Sequence, residues 1–320
     1  MESTNGQGLL SVVMPVYNEA AIIEESVHRV GRVLRDAGIP HELLLVDDGS
    51  SDDTWVKLAG LDRLPWVRAM RLSRNFGKEG AMAAGLDRAR GACVAVMDCD
   101  MQHPPEVLPE MYRLWQNEGI QVVEAVKNTR GKESRLHAWA AGSFYGLLRV
   151  SSGIDLRNAS DFRLLDRAAV QAWKHMPERR TFFRAMSTWV GFTRAQVGFD
   201  VAPRADEGQS RFSVRRLTSL AIDAITSFSA VPLQLVTFGG ILLLLLFALL
   251  GFQTVYMKLA GKAVAGFTTV ILLLLIIGGT LMVALGIIGI YIAKIYEEVK
   301  GRPRYLVQEE SQSEPEKDAL

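Results

Sequence analysis

Two stretches of this chain, 224–257 and 263–293, carry no charged side chain. Each is longer than the roughly 20 apolar residues that take an α-helix across a hydrocarbon core about 30 Å thick. Blocks such as 241–246 are apolar on every side, whereas a helix on the surface of a soluble domain keeps a polar stripe. Two transmembrane helices are therefore expected, at 230–257 and 266–293. A buried helical hairpin in a soluble protein is the competing reading, and the missing polar face disfavours it.

Local charge orients the hairpin. Arg211, Arg215 and Arg216 precede the first span, and Lys294, Lys300, Arg302 and Arg304 follow the second. The connection between the spans holds only Lys258 and Lys262. Positive residues stay on the cytoplasmic side, so both termini and everything before the spans are expected in the cytoplasm, attached to the inner membrane. Residues 210–229 read as an amphipathic helix lying in the membrane interface, and 294–320 as a cytoplasmic tail, polar and disordered after Val307. The N-terminus has no apolar signal segment, so membrane attachment is expected from the hairpin alone. A formal net charge of +1 gives a nucleic-acid partner no electrostatic support. Cys93 and Cys99 sit in or beside an apolar run, which suits core packing in a reducing compartment.

Residues 1–209 form the expected catalytic domain. Short apolar runs at 9–15, 41–46, 67–72 and 92–97 alternate with helical stretches at 20–37, 52–61 and 79–89. That alternation predicts an α/β fold with right-handed crossovers and a mostly parallel sheet. Ligands of such sheets bind at the carboxyl ends of the strands. Four polar clusters fall there: Tyr17-Asn18-Glu19, Asp47-Asp48-Gly49-Ser50, Ser73-Arg74-Asn75 and Asp98-Cys99-Asp100. Residues 127–216 are less regular.

Asp98 and Asp100 follow an apolar strand at a spacing that lets both carboxylates face one ion. Hard oxygen ligands suit Mg²⁺ or Mn²⁺, which keep open positions for phosphate oxygens. A lone D-x-D is as readily a solvated turn, but here it continues into Met101-Gln102-His103-Pro104.

Taken together, several motifs resemble the family 2 inverting glycosyltransferases of GT-A fold. They are Val13-Met14-Pro15-Val16-Tyr17-Asn18-Glu19, Val46-Asp47-Asp48-Gly49-Ser50 with Asp53-Thr54, and the D-x-D-x-Q-x-P run. Ser73-Arg74-Asn75-Phe76-Gly77-Lys78, Ser160-Asp161-Phe162-Arg163-Leu164 and Gly208-Gln209-Ser210-Arg211-Phe212 are similar to its polyprenyl-phosphate branch. That branch includes dolichol-phosphate-mannose synthases and bacterial undecaprenyl-phosphate glycosyltransferases. The resemblance spans nearly the whole chain, both terminal helices included.

The resemblance implies a nucleotide-sugar donor, with UDP favoured, at Pro15, Tyr17, Glu19, Asp47 or Asp48, Lys78 and Asp98. It implies a metal on Asp98, Asp100 and Gln102, and an acceptor phosphate held by Lys127, Arg130, Arg135, Arg204, Ser210 and Arg211. A site for a donor diphosphate and an acceptor phosphate needs several cations. Two positions depart from the pattern: it has Arg where this chain has Lys127, and Arg204 stands one residue further from Gly208. Asp161, with Arg130 and Arg211, is expected to be catalytic; a salt bridge to Arg163 or Arg184 is its alternative role. A phosphate monoester with a second pKa near 6 is already largely ionised, so little base catalysis is needed. Asn18 is also a candidate helix cap.

The expected reaction is inverting transfer of the sugar to polyprenyl (undecaprenyl) phosphate at the cytoplasmic membrane face. Gly278, Gly279, Gly286 and Gly289 in the second span point to homo-oligomer contacts or to packing within the hairpin. Neither G-x-G-x-x-G nor a P-loop is present, and the Q-x-x-R-W motif of processive synthases is missing. A glycosyltransferase using another lipid or glycan acceptor and a catalytically silent membrane scaffold stay open as alternatives.

Overall fold

The computed structural model describes residues 8–127, 159–176, 183, 184, 187, 191–200, 231–261 and 266–311. They fall in two compact units. One contains all the described strands, including the C-terminal segment from Pro303; the other contains two long apolar helices.

Eight strands form one sheet: β1 (Leu10–Val16), β2 (His41–Asp47), β3 (Val67–Leu72), β4 (Cys93–Val96), β5 (Val122–Lys127), β6 (Ala159–Asp166), β7 (Arg194–Phe199) and β8 (Val307–Glu310). Their order is β7-β5-β6-β4-β1-β2-β3-β8. The central strands β3, β2, β1 and β4 run parallel, as the alternation predicts. β6 enters antiparallel between β4 and β5, and β7 pairs parallel with β5. The strand order reverses between β1 and β4, which opens a crevice at their carboxyl ends.

Helices α1 (Ile23–Asp36), α2 (Thr54–Gly60), α3 (Lys78–Arg88), α4 (Leu108–Glu118) and α5 (Arg167–Lys174) cover the sheet. On α1, Ile23, Val27, Val30 and Leu34 recur at helical spacing and pack with Leu10, Val12, Met14 and Val16 of β1. Each such fully buried side chain contributes about 1.5–3 kcal/mol. The opposite face of the sheet packs Val13, Leu44 and Val46 against Ala81, Ala84 and Leu86 of α3 and Trp173 of α5. Contact there is close: a Cβ on Gly85 would lie 2.2 Å from Val13 Cγ1. That packing fixes α3, and so the residue at its first position, Lys78.

Two expectations change. The first helix begins at Ile23 rather than residue 20, because the Ala20 N–H donates to Asp52 and the Glu19 carbonyl accepts from the amides of Ile22 and Ile23. Residues 308–310, expected to be disordered, instead belong to β8, which completes the sheet. β8 pairs antiparallel with β3, and Ala69 exchanges hydrogen bonds with Ser311. Unpaired, β3 would present an open edge. Tyr305 Oη donates to Asp87, and Arg88 pairs with Glu310 at 2.8 Å.

In the second unit, α6 (Val231–Leu259) and α7 (Phe267–Val299) are each long and apolar enough to cross a membrane. Leu235, Leu242, Leu244 and Phe252 are exposed on α6, as lipid-facing side chains would be. Against the expected spans at 230–257 and 266–293, α6 ends two residues later and α7 six residues later. The proposed interface helix at 210–229 falls outside the described residues.

Candidate active site

The loops after β1 and β2 are laced together. Asn18, with a left-handed φ of 54°, accepts from the Ser51 amide through Oδ1 and donates its own amide to Ser50 Oγ. The Glu19 amide donates to Thr54 Oγ1. Asn18 therefore ties two loops and is not a helix cap. Pro15 stands in a central strand, yet it breaks no pairing. Val13 accepts from Met97 on the β4 side, and Pro15, two residues on, faces the same side beyond the end of the β4 ladder. Its missing N–H falls at the mouth of the crevice, where Tyr17 is exposed.

Asp47 and Asp48 are both buried. Asp47 accepts from the Ser50 amide, and Arg71 Nε lies 3.3 Å from its other oxygen, an ion-pair contact without hydrogen-bond alignment. Asp48 uses both oxygens on consecutive amides, Phe76 at 2.7 Å and Gly77 at 2.9 Å. Burial raises the Asp48 carboxyl, and these two bonds only partly offset it. Gly49, at φ 69°, passes so near this loop that a Cβ would lie 2.6 Å from the Arg74 carbonyl carbon. The second aspartate thus shapes the turn that starts α3.

The Asp98-Cys99-Asp100 turn is pinned from below. Cys99 is buried, and its carbonyl accepts from Ser26 Oγ of α1 at 2.7 Å. Both cysteines are free and buried, and burial pushes each thiol far up. The Gln102 amide donates to Asp100 Oδ1, and Met101 takes a φ of 59° to close the turn. His103 packs its ring on Phe162 and Phe199, with Nδ1 3.7 Å from Asp98 Oδ2 and no hydrogen-bond partner. Burial lowers the His103 pKa more than Asp98 and Asp100 raise it, which favours the neutral ring.

Four charges alternate across the crevice. Lys78 Nζ lies 2.5 Å from Asp98 Oδ1 and 2.6 Å from Asp161 Oδ2. Arg184 holds Asp161 with two nitrogens, Nε at 2.6 Å and Nη2 at 3.0 Å. Burial would raise the Asp161 carboxyl, but Arg184 and Lys78 outweigh it and keep it well below the usual carboxylate range. Such a carboxylate is a weak proton acceptor. Arg163 does not pair with Asp161: its Nη1 lies 3.2 Å from Glu124 and donates to Ser187 Oγ and the Arg184 carbonyl, fixing the segment that presents Arg184. Glu79 accepts from the Phe183 amide, and burial pushes its carboxyl up to about 7. At Glu19, burial, with Asp100, Asp52 and Asp98 adding to it, raises the carboxyl.

Of the residues expected at the site, Glu19, Lys78, Asp98, Asp100 and Asp161 come together, with Tyr17 at the rim. Lys127 is exposed at the end of β5. Arg130, Arg135, Arg204, Ser210 and Arg211 lie outside the described residues. The sequence names Arg184 and Arg163 only as alternative salt-bridge partners of Asp161, and Arg184 is the one that pairs with it; Glu79 and His103 are additions, the motif histidine being the available signal for one of them.

Asp98 and Asp100 fit a hard divalent ion by chemistry, since carboxylate oxygens are its preferred donors. They do not enclose one. Among the described residues no group of three or more His, Cys, Asp or Glu side chains is placed to hold a metal. The missing ligands would come from water or a bound phosphate, as is usual for Mg²⁺.

The sequence profile of Glycosyl transferase family 2 matches residues 11–173, and that of the TMEM192 family matches residues 221–319, the part with both apolar helices. The chain is 38% identical over 303 residues to the uncharacterized glycosyltransferase sll0501 of Synechocystis, covering 94% of this chain and 95% of that one. It is 34% identical to the SfII prophage-derived bactoprenol glucosyl transferase of Shigella flexneri, covering 96% and 99%. In structure it is similar to glucosyl-3-phosphoglycerate synthase from Mycobacterium tuberculosis, solved with Mn²⁺, UDP and glucosyl-3-phosphoglycerate. The TM-score is 0.50 at 22% identity, over 68% of this chain and 78% of that one. The chain belongs to glycosyl transferase family 2, and its sheet-containing unit has the GT-A fold.

Proposed function

We propose that this glycosyltransferase moves a sugar from a nucleotide diphosphate sugar, UDP-linked by preference, to polyprenyl phosphate at the cytoplasmic face of the membrane. The observation that carries this reading is the Asp98-Cys99-Asp100 turn at the β1/β4 crevice. Two further findings support it: the same chain holds two helices of membrane-spanning length, and relatives named bactoprenol glucosyl transferases match nearly all of it.

An oxygen of the acceptor phosphate attacks the anomeric carbon as the bond from that carbon to the donor diphosphate breaks, inverting the centre and releasing the nucleoside diphosphate. A divalent ion, Mg²⁺ or Mn²⁺, on Asp98 and Asp100 would offset the charge that develops on that leaving group. Lys78, at the start of α3, is within reach of the same diphosphate. Asp161 orients Lys78 and does not take a proton, which suits an acceptor that is already ionised. Arg130 and Arg211, with Lys127, Arg135, Arg204 and Ser210, are assigned to the acceptor phosphate, and much of the rate gain is positioning.

Confining the acceptor head group to the bilayer surface gives the hairpin its purpose. The Lys/Arg distribution supports cytoplasmic sidedness for the sheet-containing unit. Gly278, Gly279, Gly286 and Gly289 on α7 are small residues of the kind that let helices approach closely, which suits contact with a second copy.

Release of nucleoside diphosphate from a panel of UDP- and GDP-sugars, with and without undecaprenyl phosphate, tests the reading. Release that requires the lipid for one donor is expected; release from no donor, or without regard to the lipid, contradicts it.

A further inference from the structure

We propose that Lys78 is a resident cation that holds Asp98 in place of a divalent ion, so that metal binds this site tightly only together with the donor diphosphate. The inference rests on the reading of Asp98 and Asp100 as metal ligands.

Three observations carry it. Lys78 Nζ sits 2.5 Å from Asp98 Oδ1, within direct ion-pair distance of one of the two carboxylates a metal would use. Its second tether, Asp161, is itself gripped by Arg184 through two nitrogens, so Lys78 is held between two oriented carboxylates. Finally, the described residues supply no third His, Cys, Asp or Glu side chain that would let a metal outcompete the ammonium unaided.

Charge balance makes the coupling reciprocal. Asp98, Asp100 and Asp161 against Lys78 and Arg184 leave one net negative charge, and an ionised Glu19 beside them makes it two. A divalent ion alone cancels or reverses that charge. A dianionic sugar diphosphate alone adds to it. Both together restore the starting balance, so each ligand favours the other. The Lys78 side chain is 39% exposed, which leaves it room to turn from Asp98 onto a diphosphate oxygen. Its root does not move with it, because the Gly77 amide is fixed by Asp48.

The test is Mn²⁺ binding by the full-length protein in detergent, read from the electron paramagnetic resonance signal of free Mn²⁺, alone and with UDP or GDP. The wild type is expected to bind Mn²⁺ weakly alone and about tenfold or more tighter with its nucleotide. Lys78→Met removes the competing charge and is expected to bind Mn²⁺ alone about tenfold tighter than wild type, with most of the nucleotide coupling lost. Lys78→Arg keeps the charge and should retain weak binding and coupling. If Lys78→Met does not fold, Lys78→Gln gives the same comparison. Mn²⁺ affinity unchanged or weakened by loss of the charge overturns the inference, while the metal site stands provided wild type binds Mn²⁺ with nucleotide and Asp98→Asn does not. No Mn²⁺ binding by wild type with either nucleotide overturns the metal site itself.

Discussion

Arg184 Nε lies 2.6 Å from Asp161 Oδ1, and Arg184 Nη2 lies 3.0 Å from Oδ2, so the guanidinium meets the carboxylate edge to edge. A bidentate pair of this kind fixes orientation as well as charge. Here it aims Asp161 Oδ2 at Lys78, and through Lys78 at Asp98.

Arg184→Met should therefore slow transfer by about 100-fold, since a misplacement of about 1 Å at a reacting site has that effect. Arg184→Lys, with a point charge in place of a fork, should recover only part of the rate. Steady-state rates for both variants decide this; full activity in Arg184→Met would show that the pair is structural only.

Asp161→Asn should lower the rate without changing the shape of its pH dependence between about pH 5.5 and 8.5. The Asp161 carboxyl is held far below that window, so its protonation cannot produce a limb there. An acidic limb in the wild type that disappears in Asp161→Asn would make it a proton acceptor after all.

Glu79 predicts a pH-dependent stability. Burial pushes its folded pKa up to about 7, above the ordinary carboxylate value of 4.5, so the folded state binds the proton more tightly than the unfolded chain. Stability from this group is present below the unfolded pKa and declines as pH rises towards 7, by about 3 kcal/mol at most. Thermal unfolding of Glu79→Gln should lack that decline; parallel curves for the two proteins from pH 5 to 8 would refute the assignment.

Gly49→Ala should lower stability by about 1–3 kcal/mol, through the left-handed φ and the collision with the Arg74 backbone. The displaced loop carries the amides of Phe76 and Gly77, so donor affinity should fall as well. Calorimetry and nucleotide titration on the same sample test both effects.

Much of this was legible in the sequence because the parallel core is built from uninterrupted apolar runs. β1 to β4 and the helices between them follow directly from that pattern, and the charge-free stretches mark α6 and α7. β6 was not legible: Ser160, Asp161 and Arg163 interrupt it, and Arg163 is buried by pairing with Glu124, a partner distant in sequence. β8 was hidden for a related reason. Val307 is followed by Gln308, Glu309 and Glu310, a polar edge strand that reads as a solvated tail. Within the site, the D-x-D and its neighbours announced themselves by spacing. The Asp161–Arg184 pair was legible only as one of two alternatives, because only the fold decides between Arg163 and Arg184.

The most direct test of the central claim is transfer of radiolabel from a nucleotide sugar into the lipid phase with undecaprenyl phosphate and membranes containing this protein. Labelled polyprenyl monophosphate sugar is predicted with Mg²⁺ or Mn²⁺. It should be lost on chelation and reduced at least about 100-fold in Asp98→Asn and Asp100→Asn. A lipid product that persists in both variants, or no lipid product with any donor, would contradict the account.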